Sequence, residues 1–303
     1  MTKKIKAILA AMMAASMLFA AAACSEVAVE TETTTTEAPT TTSASAEQTT
    51  TATTAAALSG SLTLTGSTSM ADVATALGEA FTKANPNVTV SVGGNGSGEG
   101  PTAVNDGTAQ IGMLSRDLKD TETPDAYDKY IIGHDGIAVI VNSGNTVKEI
   151  TSEQVAKIYT GEITNWKELG GADAKIQCIG REAASGTRGA FEELMGIKDK
   201  AKYAEEQNST GNVKQAVAGN PNAIGYVSLS AVDDTIVALT LDGVVPSEDT
   251  VKSGDYSLQR PFVMITKKGT TDELTKAFLD FVFSDAGMKI VQDDGVVPNP
   301  GKN

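Results

Sequence analysis

One local pattern constrains this chain more than any other: an apolar strand running into a hydroxyl-bearing, glycine-containing loop that opens a helix. Its fullest copy is Ile179-Gly180-Arg181-Glu182-Ala183-Ala184-Ser185-Gly186-Thr187-Arg188-Gly189-Ala190-Phe191. The run 176–179 reads as the strand, Ser185 or Thr187 as the cap, and Phe191 with Leu194 as the apolar side of the helix. Gly186 lets backbone approach a ligand, and the unpaired amides of a first helical turn carry the positive end of the helix dipole. Such an end binds anions. Arg181 lies just upstream, where its guanidinium offers two parallel N–H donors to a tetrahedral oxyanion. Taken alone, the stretch fits equally a capped helix with a solvated Arg181.

The pattern recurs. Leu62 and Leu64 alternate with polar residues, Gly66-Ser67-Thr68-Ser69 follows, and Met70, Val73, Leu77 and Phe81 repeat at helical spacing up to Asn85-Pro86. Val88, Val90 and Val92 form a further strand before Gly93-Gly94-Asn95-Gly96-Ser97-Gly98-Glu99-Gly100 and a short helix around 102–105. That glycine run lacks the Lys-Ser/Thr ending of a P-loop, and Pro101 interrupts a dinucleotide fingerprint, so nucleotide binding is rejected. Residues 111–115 make a strand ending at Ser115-Arg116, where Arg116 fits an ion pair or an anion ligand, and 137–141 are apolar enough for a strand buried on both faces, with Asp135 at its entrance. Further on, Thr151 to Gln154 has capping-box spacing and Trp166 reads as a packing residue. A helix over 212–218, strands over 223–228, 235–239 and 261–266, and helices over 271–283 and 285–291 complete the chain. Strands alternating with helices predict an α/β fold with mostly parallel sheets, in which ligands bind at the carboxyl ends of strands. Three such ends carry hydroxyls here, at Ser67 to Ser69, Ser97 and Ser185 to Thr187.

The first 57 residues belong to a different regime. Lys3, Lys4 and Lys6 precede an apolar run over 7–23 and Cys24. A basic start, a run of that length and Ala21-Ala22-Ala23 before the cysteine describe an export signal. The cysteine resembles that of a bacterial lipobox, with 1–24 as the lipoprotein signal segment, cut just before Cys24 so that the lipidated cysteine becomes the mature first residue; an ordinary secreted protein cut nearby is the alternative. Residues 25–57 are Thr, Ala, Ser and Glu with almost no large apolar side chains, so they read as a disordered tether. The remaining cysteine, Cys178, has no disulfide partner and sits in an apolar strand, which suits a buried thiol. A formal net charge of −14 excludes nucleic acid as a partner, since phosphate backbones are bound by concentrated Lys and Arg. It leaves a small anion open, because a closed site is governed by donors within a few ångströms.

Taken together, Gly66-Ser67-Thr68-Ser69-Met70, Gly94-Asn95-Gly96-Ser97-Gly98, Ser115-Arg116, Asp135-Gly136-Ile137-Ala138-Val139, Ile158 to Trp166 and Arg181 to Arg188 resemble the PstS family, the phosphate-binding lipoproteins of bacterial phosphate ABC importers. The resemblance runs in order from about Leu58 onward. It implies a type II periplasmic-binding-protein fold, two α/β lobes with a ligand cleft and two crossing segments: 58–143 plus 257–303 as the first lobe and 144–256 as the second, with a crossing at 142–145. It implies phosphate contacts from Thr68, Ser69, Ser97, Ser115, Arg116, Asp135, Arg181, Ser185, Gly186 and Thr187. Some members carry Asp directly after the serine matching Ser115; here that position is Arg116, and the acceptor role for a phosphate proton falls to Asp135. No cofactor and no metal are implied. The partners implied are inorganic phosphate and the permease subunits of an ABC transporter, with the protein held by a lipid anchor on the outer face of a cell membrane, Gram-positive in type.

Rival classes make different demands. A Ser-His-Asp enzyme would have to use the single histidine, His134, whose neighbour Asp135 projects to the opposite side of a strand. A metal-dependent phosphatase needs a ligand cluster that one His and one buried Cys do not supply, so the expectation is a binding protein and not an enzyme. A same-fold protein for sulfate, or one adapted to phosphate sensing or adhesion, is the alternative that fold alone does not separate.

Overall fold

The computed structural model describes residues 57–301. The export segment, Cys24 and all of the expected tether but Ala57 lie outside the described residues.

β1 (Gly60–Gly66) runs through a 3-10 turn at Thr68–Met70 into α1 (Ala71–Ala84), β2 (Val88–Gly94) into α2 (Glu99–Asn105), and β3 (Ile111–Leu114) into two short turns. Then come β4 (Tyr127–Asn142), β5 (Glu149–Ile150), α3 (Ser152–Thr160), β6 (Gln177–Arg181), α4 (Gly186–Leu194), β7 (Glu205–Gln207), α5 (Thr210–Gly219) and β8 (Ala223–Ser228). β9 (Ile236–Ala238), β10 (Thr240–Leu241) and α6 (Glu248–Ser253) lead to β11 (Gln259–Lys267), followed by α7 (Glu273–Val282), α8 (Asp285–Asp293) and β12 (Val297–Pro298).

The strands lie in the order β2-β1-β3-β11-β4-β8-β6-β7. At the two ends pairing is parallel, β1 with β2 and β3, and β6 with β7 and β8. In the middle it is antiparallel, because β4 and β11 run against each other and against their neighbours. The sheet is therefore mixed, and the doubly buried run 137–141, expected to be a parallel strand, pairs antiparallel with β8. Burial on both faces demands apolar residues whichever way the neighbour runs, so the composition carried no directional information.

β4 joins two cores. Through Gly136 it pairs with β11, and from Ile137 with β8, so the change of partner falls inside the strand and ahead of the turn at 142–145. That turn is tied to α5 by Asn142 Nδ2, which donates to the Val217 and Ala218 carbonyls. One core gathers Leu62, Leu64, Met70, Leu77, Phe81 and Phe278. The other gathers Ile137, Val139, Tyr159, Trp166, Phe191 and Tyr226. Each such side chain, fully buried, contributes roughly 1.5–3 kcal/mol, so each half has the apolar means to fold around its own strands. Trp166 packs as expected, with its indole N–H on the Asn222 carbonyl at 3.0 Å. Leu194, placed on the apolar side of α4 from its spacing, is instead 45% exposed at the last helical residue.

Candidate functional site

The hydroxyl-bearing loops converge where the two halves meet. Gly66 ends β1 at φ 136 with its Cα so close to β3 that a Cβ would lie 2.1 Å from the Met113 carbonyl oxygen. Only glycine allows that approach, and it turns the chain so that Thr68 and Ser69 face the other half. Ser97, in the loop after β2, and Ser115, just past β3, come together across the end of β1, both without solvent exposure, their hydroxyls 3.3 Å apart. Across from them Gly186 opens α4 so tightly that a Cβ there would fall 2.1 Å from Ser97 Oγ and 2.6 Å from Ser115 Oγ. Ser185 caps this helix, its Oγ accepting from the Arg188 amide at 3.2 Å. That leaves the Gly186 and Thr187 amides without intrahelical acceptors. The halves also meet through backbone, since the Gly98 amide donates to the Ala184 carbonyl at 3.0 Å.

Arg181, 1% exposed, ends β6 beside this helix start. Its Nε and Nη2 are held by Glu182 at 3.0 and 2.8 Å, with Nε also near the Gln207 carbonyl, and Nη1 donates to Thr210 Oγ1 at 3.3 Å. One N–H on each Nη is left over. Thr210, the first residue of α5, lies at the centre of the hydroxyl cluster, 3.1 Å from Thr68 Oγ1 and 3.2 Å from Ser69 Oγ; Ser69 Oγ is 2.8 Å from Thr187 Oγ1.

The polarity of these contacts follows from the donors. A guanidinium or backbone N–H can only donate, so a hydroxyl that receives one keeps its own proton for another partner. Thr68 receives the Thr210 amide (3.3 Å), Ser69 receives Arg260 Nη2 (3.2 Å), Thr210 receives Arg181 Nη1 (3.3 Å), and Ser97 receives the Ser115 amide (3.1 Å). All four present O–H groups to one another or to whatever occupies the cleft. A cluster of such donors between the two halves suits an oxyanion.

Behind the array lies an ion pair. Asp135, fully buried, and Arg260, 3% exposed, stand opposite each other on β4 and β11. Arg260 Nε and Nη2 reach Asp135 Oδ2 at 3.2 and 2.9 Å, and Nη1 donates to the Ser115 carbonyl at 3.2 Å. Asp135 Oδ1 accepts from Ser228 Oγ at 2.7 Å, and the carboxylate also receives the Leu229 amide. Arg260 thus stands between Asp135 and Ser69, which puts Asp135 one guanidinium behind that hydroxyl. Burial pushes the Asp135 carboxyl up, with Arg260 and Ser228 pulling against it. Burial likewise pushes the Arg260 guanidinium down, against the pull of Asp135.

Arg116 is also buried, but its fork is spent on Glu122, with Nη1 and Nη2 at 2.8 and 2.6 Å and Nη1 also on the Asp117 carbonyl. Only its Nε is without a partner. Burial raises the Glu122 carboxyl, yet the hydrogen bonds from Arg116 and the Lys119 amide hold it below its usual value. Of the ten residues named from the sequence, Thr68, Ser69, Ser97, Ser115, Arg181, Ser185, Gly186 and Thr187 thus come together, while Asp135 and Arg116 stand behind or beside them. Sequence reasoning missed Thr210 and Arg260. Thr210 was legible, because Ser209-Thr210-Gly211 is the same capped helix start as the others. Arg260 was not, because only the β4–β11 register brings it to Asp135.

The cleft continues outward into a cavity of about 520 Å³ lined by Thr68, Asp72, Thr210, Lys214 and Asp233 among others. Among the described residues no three His, Cys, Asp or Glu side chains cluster as metal ligands.

Two α/β halves sharing crossing strands, with a donor-lined cleft between them, define a periplasmic-binding-protein fold. A family model described as a PBP superfamily domain matches residues 13–286. The phosphate-binding protein PstS of Bacillus subtilis is 39% identical over 248 residues, covering 79% of this chain and 81% of the relative. That of Staphylococcus haemolyticus is 32% identical, covering 81% and 83%. A Clostridium perfringens crystal structure, described as a phosphate ABC transporter substrate-binding protein with bound phosphate, has a TM-score of 0.77 at 40% identity and covers 79% of this chain and all of its own. The chain belongs to the PBP superfamily and, within it, to the PstS family of phosphate-binding proteins.

Proposed function

We propose that this protein captures inorganic phosphate and delivers it to an ABC importer, as a substrate-binding protein and not an enzyme. The observation that carries the reading is the donor cluster: four hydroxyls that each receive an N–H group and so keep a proton for one another or for an anion in the cleft. Around it Arg181 is paired with Glu182, Arg260 with Asp135 and Arg116 with Glu122. An anion entering such a site is stabilised by oriented donors more than by net charge. The relatives named PstS and the phosphate-bound Clostridium perfringens structure support phosphate as the anion.

In this reading Thr68, Ser69, Ser97, Ser115, Thr187 and Thr210 donate hydroxyl protons, and the Gly186 and Thr187 amides at the Ser185-capped helix start donate backbone N–H groups. Arg181 supplies its two spare N–H groups. Arg116 contributes through its unpartnered Nε, and Asp135 acts through Arg260. The lobes divide near 136 and 258, where β4 and β11 cross. Calorimetric titration of the purified full-length protein with phosphate and sulfate in parallel tests the proposal. Charge-assisted hydrogen bonds contribute roughly 1.5–3 kcal/mol each, so Arg181→Ala is expected to weaken phosphate binding about ten- to a hundredfold. No phosphate heat in the parent, or an unchanged Arg181→Ala, overturns it.

Attachment belongs to the same proposal. No helix among the described residues is long and apolar enough to cross a membrane, and the basic start, apolar run and Cys24 support a lipid anchor through that cysteine on the outer face of a cell membrane, beside the permease subunits. Cys24→Ser is then expected to move the protein from the membrane fraction to the medium. A variant that still pellets with membranes refutes the anchor.

A further inference from the structure

We propose that Arg260 is a positioning residue of the anion cleft, which fixes the direction of the Ser69 hydroxyl proton and cancels the charge of Asp135 behind it. The inference rests on the phosphate reading above and assigns a role to a residue that the sequence pattern did not bring forward.

Three observations carry it. First, Arg260 Nη2 donates to both Asp135 Oδ2 and Ser69 Oγ, and Nη1 donates to the Ser115 carbonyl. Ser69 is thereby forced to accept on one side and to direct its proton toward Thr187, Thr210 or the anion. Second, four of the five N–H groups of Arg260 are engaged inside the protein, and the one left over is on Nη1, the nitrogen that also holds Ser115. Third, replacing a buried ion pair by apolar side chains is often neutral or stabilising, so such a pair is poor evidence of stability. Here it lies where both crossing strands pass from one core to the other, and it touches hydroxyls of both: Ser69 through Arg260, Ser228 through Asp135.

The groups facing Asp135 define what happens without the guanidinium. From β11 comes Arg260, from the end of β8 the Ser228 hydroxyl and Leu229 amide, from the segment before β11 the phenol of Tyr256, and from beyond α8 the Asp294 carboxylate. Arg260 is the only cation among them. Remove it, and Asp135 becomes an uncompensated buried acid whose charge appears as pH rises and opposes the anion.

Phosphate affinities of the parent, Arg260→Gln, Arg260→Lys, Asp135→Asn and the double variant, measured by calorimetry from pH 5 to 8, test this. Taking each variant's Kd relative to the parent cancels the titration of phosphate itself. Arg260→Gln is expected to bind at least tenfold more weakly, with a penalty that grows as pH rises. Arg260→Lys, which keeps the charge but not the fork, is expected to show a smaller, pH-independent penalty. Arg260→Gln/Asp135→Asn is expected to be weak with a flat profile. A purely structural arginine would give Arg260→Gln and the double variant the same flat profile, and that result overturns the proposal, as does parent-like binding by Arg260→Gln. Should Arg260→Gln not fold, Asp135→Asn and the double variant decide: the former, keeping the guanidinium, is expected to bind at least tenfold more tightly, and equal affinities overturn the role. A parent that binds no phosphate would instead refute the phosphate reading and leave the pairing geometry untouched.

Discussion

Asp294 follows α8 with a carboxylate whose Oδ2 is buried and has no hydrogen-bond partner. Burial, then the nearby charges of Asp72 and Asp135, push this carboxyl up to about 7. The native state therefore holds its proton more tightly than the unfolded chain does. Between the ordinary carboxylate range and pH 7 the unfolded state binds fewer protons, so stability falls as pH rises through that window. Asp294 is only partly buried, and solvent screening reduces the effect to about 1 kcal/mol. Asp294→Asn, which mimics the neutral acid, is expected to leave Tm nearly unchanged at about pH 3, below the ordinary carboxylate range, and to raise it by about 2–4 °C at pH 8. An equal shift at both pH values would show that the carboxyl does not titrate in this range. At this scale the sequence was informative about kinds of residue and silent about partners. Cys178 read correctly as a buried thiol, and burial pushes it up to about 12. Arg116 read as an ion-pair residue or an anion ligand, and nothing local announced that Glu122 would be the partner on its fork. Partners six residues apart across a turn, or 125 apart across a sheet, are set by backbone path.

The elements most legible from the sequence were those coded by short-range physics. Thr151 and Gln154 form the capping box expected of α3, and the strand, hydroxyl loop and helix start recur at Thr68, Ser97 and Ser185 as the spacing implied. Strand direction was not legible, because β4 and β11 have the same apolar composition whichever way their neighbours run. The start of α4 is where an element becomes function. Gly186 has an ordinary helical entry, so its glycine is required by space and not by φ: Ser97 and Ser115 occupy the volume a methyl would need. Gly186→Ala is expected to hold the two halves apart, weakening phosphate binding at least tenfold while each half keeps its own core. Measured by calorimetry and thermal unfolding, a variant with parent-like affinity would mean that the loops can shift enough to admit a methyl. A variant that lost affinity and unfolded at much lower temperature would mean that the contact belongs to the fold itself.

At the scale of the whole molecule, the formal charge of −14 and the paired arginines of the cleft are compatible because they act over different distances. Surface charge is screened over roughly 8 Å at physiological salt, whereas the donors lie within hydrogen-bond reach. A cleft that buries its ligand must also open to admit it, and the crossings give it the means. Among the described residues only β4 near Gly136 and β11 near Leu258 and Gln259 carry the sheet from one core to the other, so a rotation of one half against the other would turn on those residues. Holding the halves together are Thr68 with the Thr210 hydroxyl and amide, Ser69 with Thr187 and Thr210, and the Gly98 amide on Ala184, at 2.8 to 3.3 Å. Each such bond has a net worth of about 0.5–1.5 kcal/mol, because an open cleft gives the same groups to water. The sum is small enough that phosphate, if it takes donors from both sides as proposed, would shift the balance toward closure. Saturating phosphate is expected to lower the radius of gyration in small-angle scattering. Thr210→Val, which removes the hydroxyl that joins both sides, is expected to scatter as a more open molecule without phosphate. Curves that superimpose with and without phosphate, in the parent and in this variant alike, would show that the halves do not move and that phosphate enters a cleft of fixed width.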